Sequence, residues 1–266
     1  MQSVCLRKFC GRFFYCDNRG SNCGYIFPDP DDWVEPNYIS RLTELQEKYQ
    51  PDLVCVGHYV DYDDHSEAAN RGQSLRQMDG MQAQKALLLT PCMSGFAWNK
   101  LYHVDIIREN GLRFLDDVGT TEDLDFAFRY LEFCKKVVFS PEDRIYHYYQ
   151  RPGAATHSGF SQKKLDAIRT YDKMIELTTN KDIIRAAQEA ICNTAVNLLW
   201  IYQNSKFDDV HTKKKIQSYI RMNLKQYCTS KQFGIGRKIQ AILACYMPEI
   251  YAYLKNELTK GMKEKI

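Results

Sequence analysis

The apolar residues of this 266-residue chain change their period near residue 159. Before that point short β-like runs alternate with helical ones, the arrangement of an α/β domain. Beyond it the pattern is helical nearly throughout. Ile183, Ile184, Ala187, Ile191, Ala195, Leu198 and Leu199 recur at steps of three and four and make a single apolar stripe. Further helical stretches are predicted over roughly 212–227 and 238–260, with Gly234 and Gly236 as breaks. The expected organisation is an α/β domain over residues 1–159 and a helical region over 160–266. A hydrophobic fraction of 44% and an aromatic fraction of 13% support packed cores and exclude a disordered chain.

Within the first part, Pro36 at a first turn opens a helix with Ile39, Leu42, Leu45 and Tyr49 on one face. Residues 53–57 (Leu-Val-Cys-Val-Gly) follow as a buried strand. A helix over about 103–110 ends at Gly111, the residue type that most readily takes a left-handed cap. Another helix is predicted over 121–134, then strands at 136–140 and 144–151.

Charge divides at the same place. Up to Phe160 there are 17 Lys and Arg against 23 Asp and Glu, and from Ser161 onward 19 against 10. An acidic half suits a bound cation, and a basic half suits an anionic surface. Nucleic-acid binding through Lys206, Lys213, Lys214, Lys215, Arg221, Lys225, Arg237 and Lys238 is set aside, because no recognition motif accompanies them. No run of 18 or more apolar residues is present, which excludes a spanning helix, and the N-terminus lacks the apolar core of a secretory signal. The ten cysteines accordingly read as free thiols of a cytoplasmic protein. Of Cys5, Cys10, Cys16 and Cys23 only the first two stand at C-x4-C spacing, the others are wider, and no histidine lies nearby, so a structural zinc site is not expected.

Two acidic segments carry candidate chemistry. In Phe27-Pro28-Asp29-Pro30-Asp31-Asp32-Trp33, three carboxylates within four residues repel one another unless a cation joins them. Hard oxygen donors of this kind suit Mg²⁺ or Mn²⁺, while an ordinary acidic turn explains the same residues. In Gly119-Thr120-Thr121-Glu122-Asp123-Leu124, a threonine can cap a helix whose first turn carries acids, and the same placement would present a general base. Aromatic and polar residues interleave at Ser94–Tyr102 and at Ile145–Gly153, as in a sugar-lined groove or a core.

Taken in order, D-x-D-D-W-V-E-P, G-x-x-W-N-K-L, I-x-x-x-N-G-L-x-F, E-D-x-x-F and Y-x-Y-x-x-R resemble the bacterial family 2 glycosyltransferases that build capsules, exopolysaccharides and lipopolysaccharides. The resemblance runs from about Tyr25 to His157. It implies a GT-A-like, Rossmann-type mixed sheet. Asp29 and Asp31, with Asp32 beside them, match the site of the metal and the donor diphosphate. Asp123, with Glu122 its neighbour, matches the catalytic base. Trp98, Asn99 and Lys100 match a segment lining the acceptor side, and Arg151 matches an arginine near the diphosphate. The implied reaction moves a sugar from a nucleotide sugar, with UDP the expected nucleotide, to a saccharide or lipid-linked saccharide, with inversion. The alternatives are an inactive remnant or a non-catalytic carbohydrate-binding protein.

The family's apolar opening strand and β-α units are not recognisable in the 28 residues before Asp29, so an N-terminally shortened domain with weak donor binding is expected. In the basic tail, Phe233, Ile235, Ile239, Ile242, Leu243 and Tyr246 beside Arg237 and Lys238 suggest a helix lying on an anionic membrane at its cytoplasmic face, or one packed back as core.

Overall fold

The computed structural model describes residues 7–9, 12–16, 23–69, 74–89, 93–115, 121–151 and 159–263. Thr120, with the cap expected of it, and Cys5 and Cys10 lie outside these. The chain divides into two compact units, the first made of residues 1–117 and 122–154, the second of 118–121 and 155–266.

The first unit is a mixed α/β structure. Its strands are β1 (Arg7–Phe9), β2 (Arg12–Cys16), β3 (Cys23–Ile26), β4 (Trp33–Val34), β5 (Leu53–Asp61), β6 (Ser66–Ala68), β7 (Arg76–Met78), β8 (Lys100–His103) and β9 (Val137–Tyr149). Among the described residues they form one sheet in the order β1-β2-β3-β8-β5-β9-β4, with β6 on β5 and β7 on β9. β8 pairs antiparallel with both β3 and β5, and β5 pairs parallel with β9. β3, β5 and β9 therefore run in one direction, and their carboxyl ends share an edge, which is where open α/β sheets bind ligands.

Helix α1 (Tyr38–Tyr49) starts two residues after Pro36 and buries Tyr38, Leu42 and Leu45 against Val54 and Val56 of β5, with Ile39 and Tyr49 at the margin. Helices α2 (Gly80–Leu89) and α3 (Val104–Glu109) follow; Gly111 takes the left-handed conformation at φ +58°, as its place after α3 predicts. Helix α4 (Glu122–Leu131) buries Phe126, Tyr130 and Leu131. The expected strands at 136–140 and 144–151 are a single strand, β9. Its pairing with β5 shifts register between Val56 and His58, so residues 141–143 pass as an irregularity without ending the ladder.

The second unit is helical: a 3-10 turn at Gln162–Leu165, then α5 (Asp166–Glu176), α6 (Lys181–Gln203), α7 (Val210–Thr229), α8 (Ile235–Tyr246) and α9 (Pro248–Lys263). Asn180 caps α6 by accepting from the backbone N–H of Asp182 and Ile183, and Asp209 caps α7 in the same way. The apolar stripe of α6 is buried as its period predicts, with Ile184 at the margin. The helix expected over 238–260 is two helices. Pro248 has no amide hydrogen to continue α8, so it opens α9 instead.

Candidate functional site

The acidic segment Asp29–Asp32 leaves the carboxyl end of β3 as a tight turn. The N–H of Asp32 donates to the carbonyl of Asp29 at 3.2 Å, and the N–H of Asp31 donates to Asp29 Oδ1 at 3.2 Å. The chain then joins the sheet again as β4, where Trp33 lies opposite His147 and Val34 opposite Tyr146. Tyr146 ties the turn together. Its hydroxyl accepts from the N–H of Asp29 at 3.0 Å and donates to Asp32 Oδ2 at 2.7 Å. The N–H of Tyr149 donates to Asp32 Oδ1 at 3.0 Å. Burial raises the pKa of Asp32, and Asp29 and Asp31 add to this by repulsion, against the lowering effect of its two hydrogen bonds.

Both oxygens of Asp32 are thus engaged by the protein. Asp32 holds the turn, while Asp29 and Asp31, the pair that matches the family's D-x-D, are exposed. Among the described residues no group of three His, Cys, Asp or Glu is arranged to hold a metal ion. The donor chemistry that remains still fits a hard cation. Mg²⁺ characteristically uses one or two carboxylates and takes its other oxygens from phosphate and water. Arg151 lies beside this pair, with Nη2 2.6 Å from Asp31 Oδ1 and both side chains about half exposed. An exposed pair of this kind is worth at most roughly 1 kcal/mol, so a diphosphate or a cation can displace it.

Asp123 occupies the first turn of α4, as predicted. Its Oδ2 accepts from the N–H of Ala97 at 3.0 Å. Burial raises its pKa, and the charges of Glu122 and Asp29 raise it further, while the Ala97 N–H and Lys100 oppose them. Phe27, two residues before Asp29, packs edge-on against Phe126 of α4 at 5.7 Å between ring centroids, so the turn after β3 lies beside the helix that carries Asp123. Glu122 sits beside it with Oε2 buried and without a hydrogen-bond partner.

The segment that supplies the Ala97 N–H is held from beneath. Lys100 is fully buried, and its ammonium donates to the carbonyls of Ser94 (2.7 Å) and Phe96 and to Asn99 Oδ1 (2.9 Å). Asn99, also fully buried, donates from Nδ2 to the carbonyl of Val56 at 2.8 Å, and its own carbonyl accepts from the N–H of Val56 at 3.0 Å. Trp98 is only 4% exposed and stacks on Tyr146 at 4.2 Å between ring centroids. Gly95 makes the approach to α4 possible, since a Cβ there would lie 2.9 Å from Leu124 Cβ. The expectation that Trp98, Asn99 and Lys100 line an acceptor groove is therefore corrected. Their rings and polar atoms are spent inside the protein, and they position the loop that holds Asp123.

Two features escaped the sequence. Phe96, 38% exposed and stacked on Trp98 and Tyr148, is the ring of this segment that meets solvent. His147 is buried between Asp61 Oδ2 (2.9 Å) and Glu35 Oε1 (3.2 Å), and stacks against Trp33 and Tyr59. Period-2 alternation along β9 marks His147 as half-buried at most, and the partners that hold it come from 86 and 112 residues away.

An acid turn at the carboxyl edge of parallel strands, with a carboxylate at the start of the adjoining helix α4, defines a candidate site on a mixed α/β fold. That fold is shared with solved structures. TarS 1-349 of S. aureus in complex with UDP-GlcNAc matches with a TM-score of 0.55 at 9% identity, over 89% of this chain and 67% of that one. TarS 1-349 without a named ligand matches at 0.54 and 8% identity, over 89% and 66%. At such identities the likeness is one of fold, and it agrees with the GT-A-like sheet that the motifs imply. Among curated proteins, EpsH of Bacillus subtilis (strain 168), provisionally named a glycosyltransferase, is 29% identical over 126 residues. That alignment takes in 46% of this chain and spans only about a third, 36%, of EpsH. No family model matches the chain.

Proposed function

We propose that the chain transfers a sugar from a nucleoside-diphosphate sugar to an acceptor hydroxyl, with inversion at the anomeric carbon, in the synthesis of a cell-surface polysaccharide. The observation that carries this reading is Asp123, set at a helix start on the Ala97 N–H, in a helix that packs against the strand end bearing Asp29. The motif order, the likeness to EpsH, and a fold shared with a protein crystallised with UDP-GlcNAc support the same class. Asp29 and Asp31 would hold Mn²⁺ or Mg²⁺, which when bound supplies positive charge to the diphosphate oxygens. Arg151 adds a second cation at the same place.

In the reaction, Asp123 takes the proton of the acceptor hydroxyl as that oxygen bonds to the anomeric carbon. The bond from that carbon to the phosphate oxygen breaks, and its electron pair leaves with the nucleoside diphosphate. Attack and departure on opposite faces invert the configuration. The buried Lys100 and Asn99 keep the Ala97 N–H in place, so the base is fixed before substrate arrives. The acceptor is a saccharide, free or lipid-linked, and a cytoplasmic site of action at a membrane surface suits the second of these.

The test is incubation with UDP-GlcNAc and other UDP-hexoses, Mn²⁺ and a panel of saccharide acceptors, with release of UDP and the anomeric configuration of the product read by NMR. The expected product has the configuration opposite to the donor. A product that retains it removes the single-base mechanism; acceptor binding without any UDP release favours a carbohydrate-binding protein.

A further inference from the structure

The helical unit holds a cavity of about 260 Å³ between α6, α7 and α8. Asn193 and Asn197, one turn apart on α6, line it together with Val196. Arg237 and Gln240, one turn apart on α8, line it as well, and Tyr227 of α7 completes the wall. One water takes roughly 30 Å³ in the liquid, so the space admits a small molecule and not a single solvent molecule alone. The hydrogen-bonding capacity of the wall is one-sided. The Tyr227 hydroxyl donates to Asn193 Oδ1 at 3.1 Å. The Lys255 ammonium, which can only donate, holds Asn197 Oδ1 at 3.0 Å. With both oxygens engaged, each asparagine is left with its NH₂ to offer. Arg237 adds a guanidinium that forms no ion pair among the described residues.

Charge and geometry select the guest. No carboxylate lines the cavity, and neither α7 nor α8 contains an acid. Of the two acids of α6, Asp182 lies about three turns before Asn193, and Glu189 is engaged by Arg185 (3.1 Å) and Ser230 (2.6 Å). Helix α8 begins after Gly234 with no side-chain cap, so its positive end lies in the same turn as Arg237. A neutral guest would leave the guanidinium without a counter-charge. A carboxylate offers about four acceptor positions in one plane. Donors that come from two helices suit instead the tetrahedral oxygens of a phosphate, which a guanidinium also grips in pairs. The volume beyond the phosphate leaves room for a short esterified body.

We propose that this cavity binds a phosphate group, carried by a small ester or free, a role that stands apart from the reaction assigned to the first unit.

The experiment is calorimetry of the full chain with glycerol 3-phosphate, inorganic phosphate and acetate at constant ionic strength. The variants Arg237→Gln and Lys238→Gln are run in parallel. Each removes one positive charge from the first turn of α8, but only Arg237 lines the cavity. Melting curves check that both variants keep the fold. The expected result is binding of a phosphate compound that weakens roughly tenfold or more in Arg237→Gln and is little changed in Lys238→Gln. Acetate binds more weakly than the phosphate compounds. Glycerol 3-phosphate bound more tightly than inorganic phosphate assigns the site to an ester, and the reverse order assigns it to the free anion. No binding of either at about 10 mM, an equal loss in the two variants, or acetate bound as tightly as phosphate overturns the proposal.

Discussion

Asp123→Asn lowers the rate of sugar transfer by about 10²–10⁴-fold, the span a positioned general base contributes, while leaving UDP affinity unchanged. The substitution is nearly isosteric, and the amide oxygen still accepts from the Ala97 N–H, so the loop and α4 stay where they are. What goes is the capacity to accept a proton. Stability moves the other way. Burial raises the pKa of Asp123, so the folded protein holds this proton more tightly than the unfolded chain does. The folded state then loses stability as pH rises from the ordinary carboxylate range through the raised value, and the whole cost is present once the pH has passed that value. Asparagine removes it. The variant melts at the same temperature as wild type or above it, whereas damage to the fold would lower both activity and melting temperature. The same shift sets the acid limb of the wild-type rate at a pH above the ordinary carboxylate value of about 4. A variant with normal turnover removes Asp123 from the chemistry.

Lys100→Met produces the largest loss of stability expected from a single change near the site. Three acceptors converge on the Lys100 nitrogen, and only the ammonium, with three hydrogens, satisfies all of them. Burial lowers its pKa, while Cys55 and Asp123 pull it back up. Methionine fits the channel but leaves the carbonyls of Ser94 and Phe96 and the Asn99 amide oxygen buried without donors. Each buried acceptor left without its donor costs about 1–3 kcal/mol, and three together are a large share of a domain's total. Denaturation in urea measures it. If Lys100 instead touched the acceptor, the variant would be as stable as wild type and would show only a raised acceptor KM.

Patterns local in sequence were legible, and those made by distant contacts were not. The helix start at Asp123, the acid turn after β3 and the stripe of α6 follow from spacing alone, and each stands where expected. The Trp98-Asn99-Lys100 segment misleads because interleaved aromatic and polar residues describe a groove and a core equally well. Lysine is almost never fully buried, so its composition argues for the surface. Only the converging carbonyls, with Asn99 fastened to Val56, reveal the other outcome. Tyr146 could not be singled out among the tyrosines of β9, since its partners Asp29 and Asp32 lie 117 and 114 residues away. The single course of β9 likewise depends on β5 accommodating the register shift. Pro248, by contrast, is a break that the sequence itself displays within residues 238–260.

On the proposed function, the turn bearing Asp29 and Asp31, with Arg151 beside it, would receive the donor diphosphate through a divalent cation. Calorimetry of UDP binding with Mn²⁺, with a chelator, and in the variants Asp31→Asn and Asp123→Asn tests it most directly. The expected binding, however weak, requires Mn²⁺, is lost with the chelator and in Asp31→Asn, and persists in Asp123→Asn. UDP binding indifferent to the metal and to Asp31, or no binding at millimolar UDP with Mn²⁺ present, would contradict it.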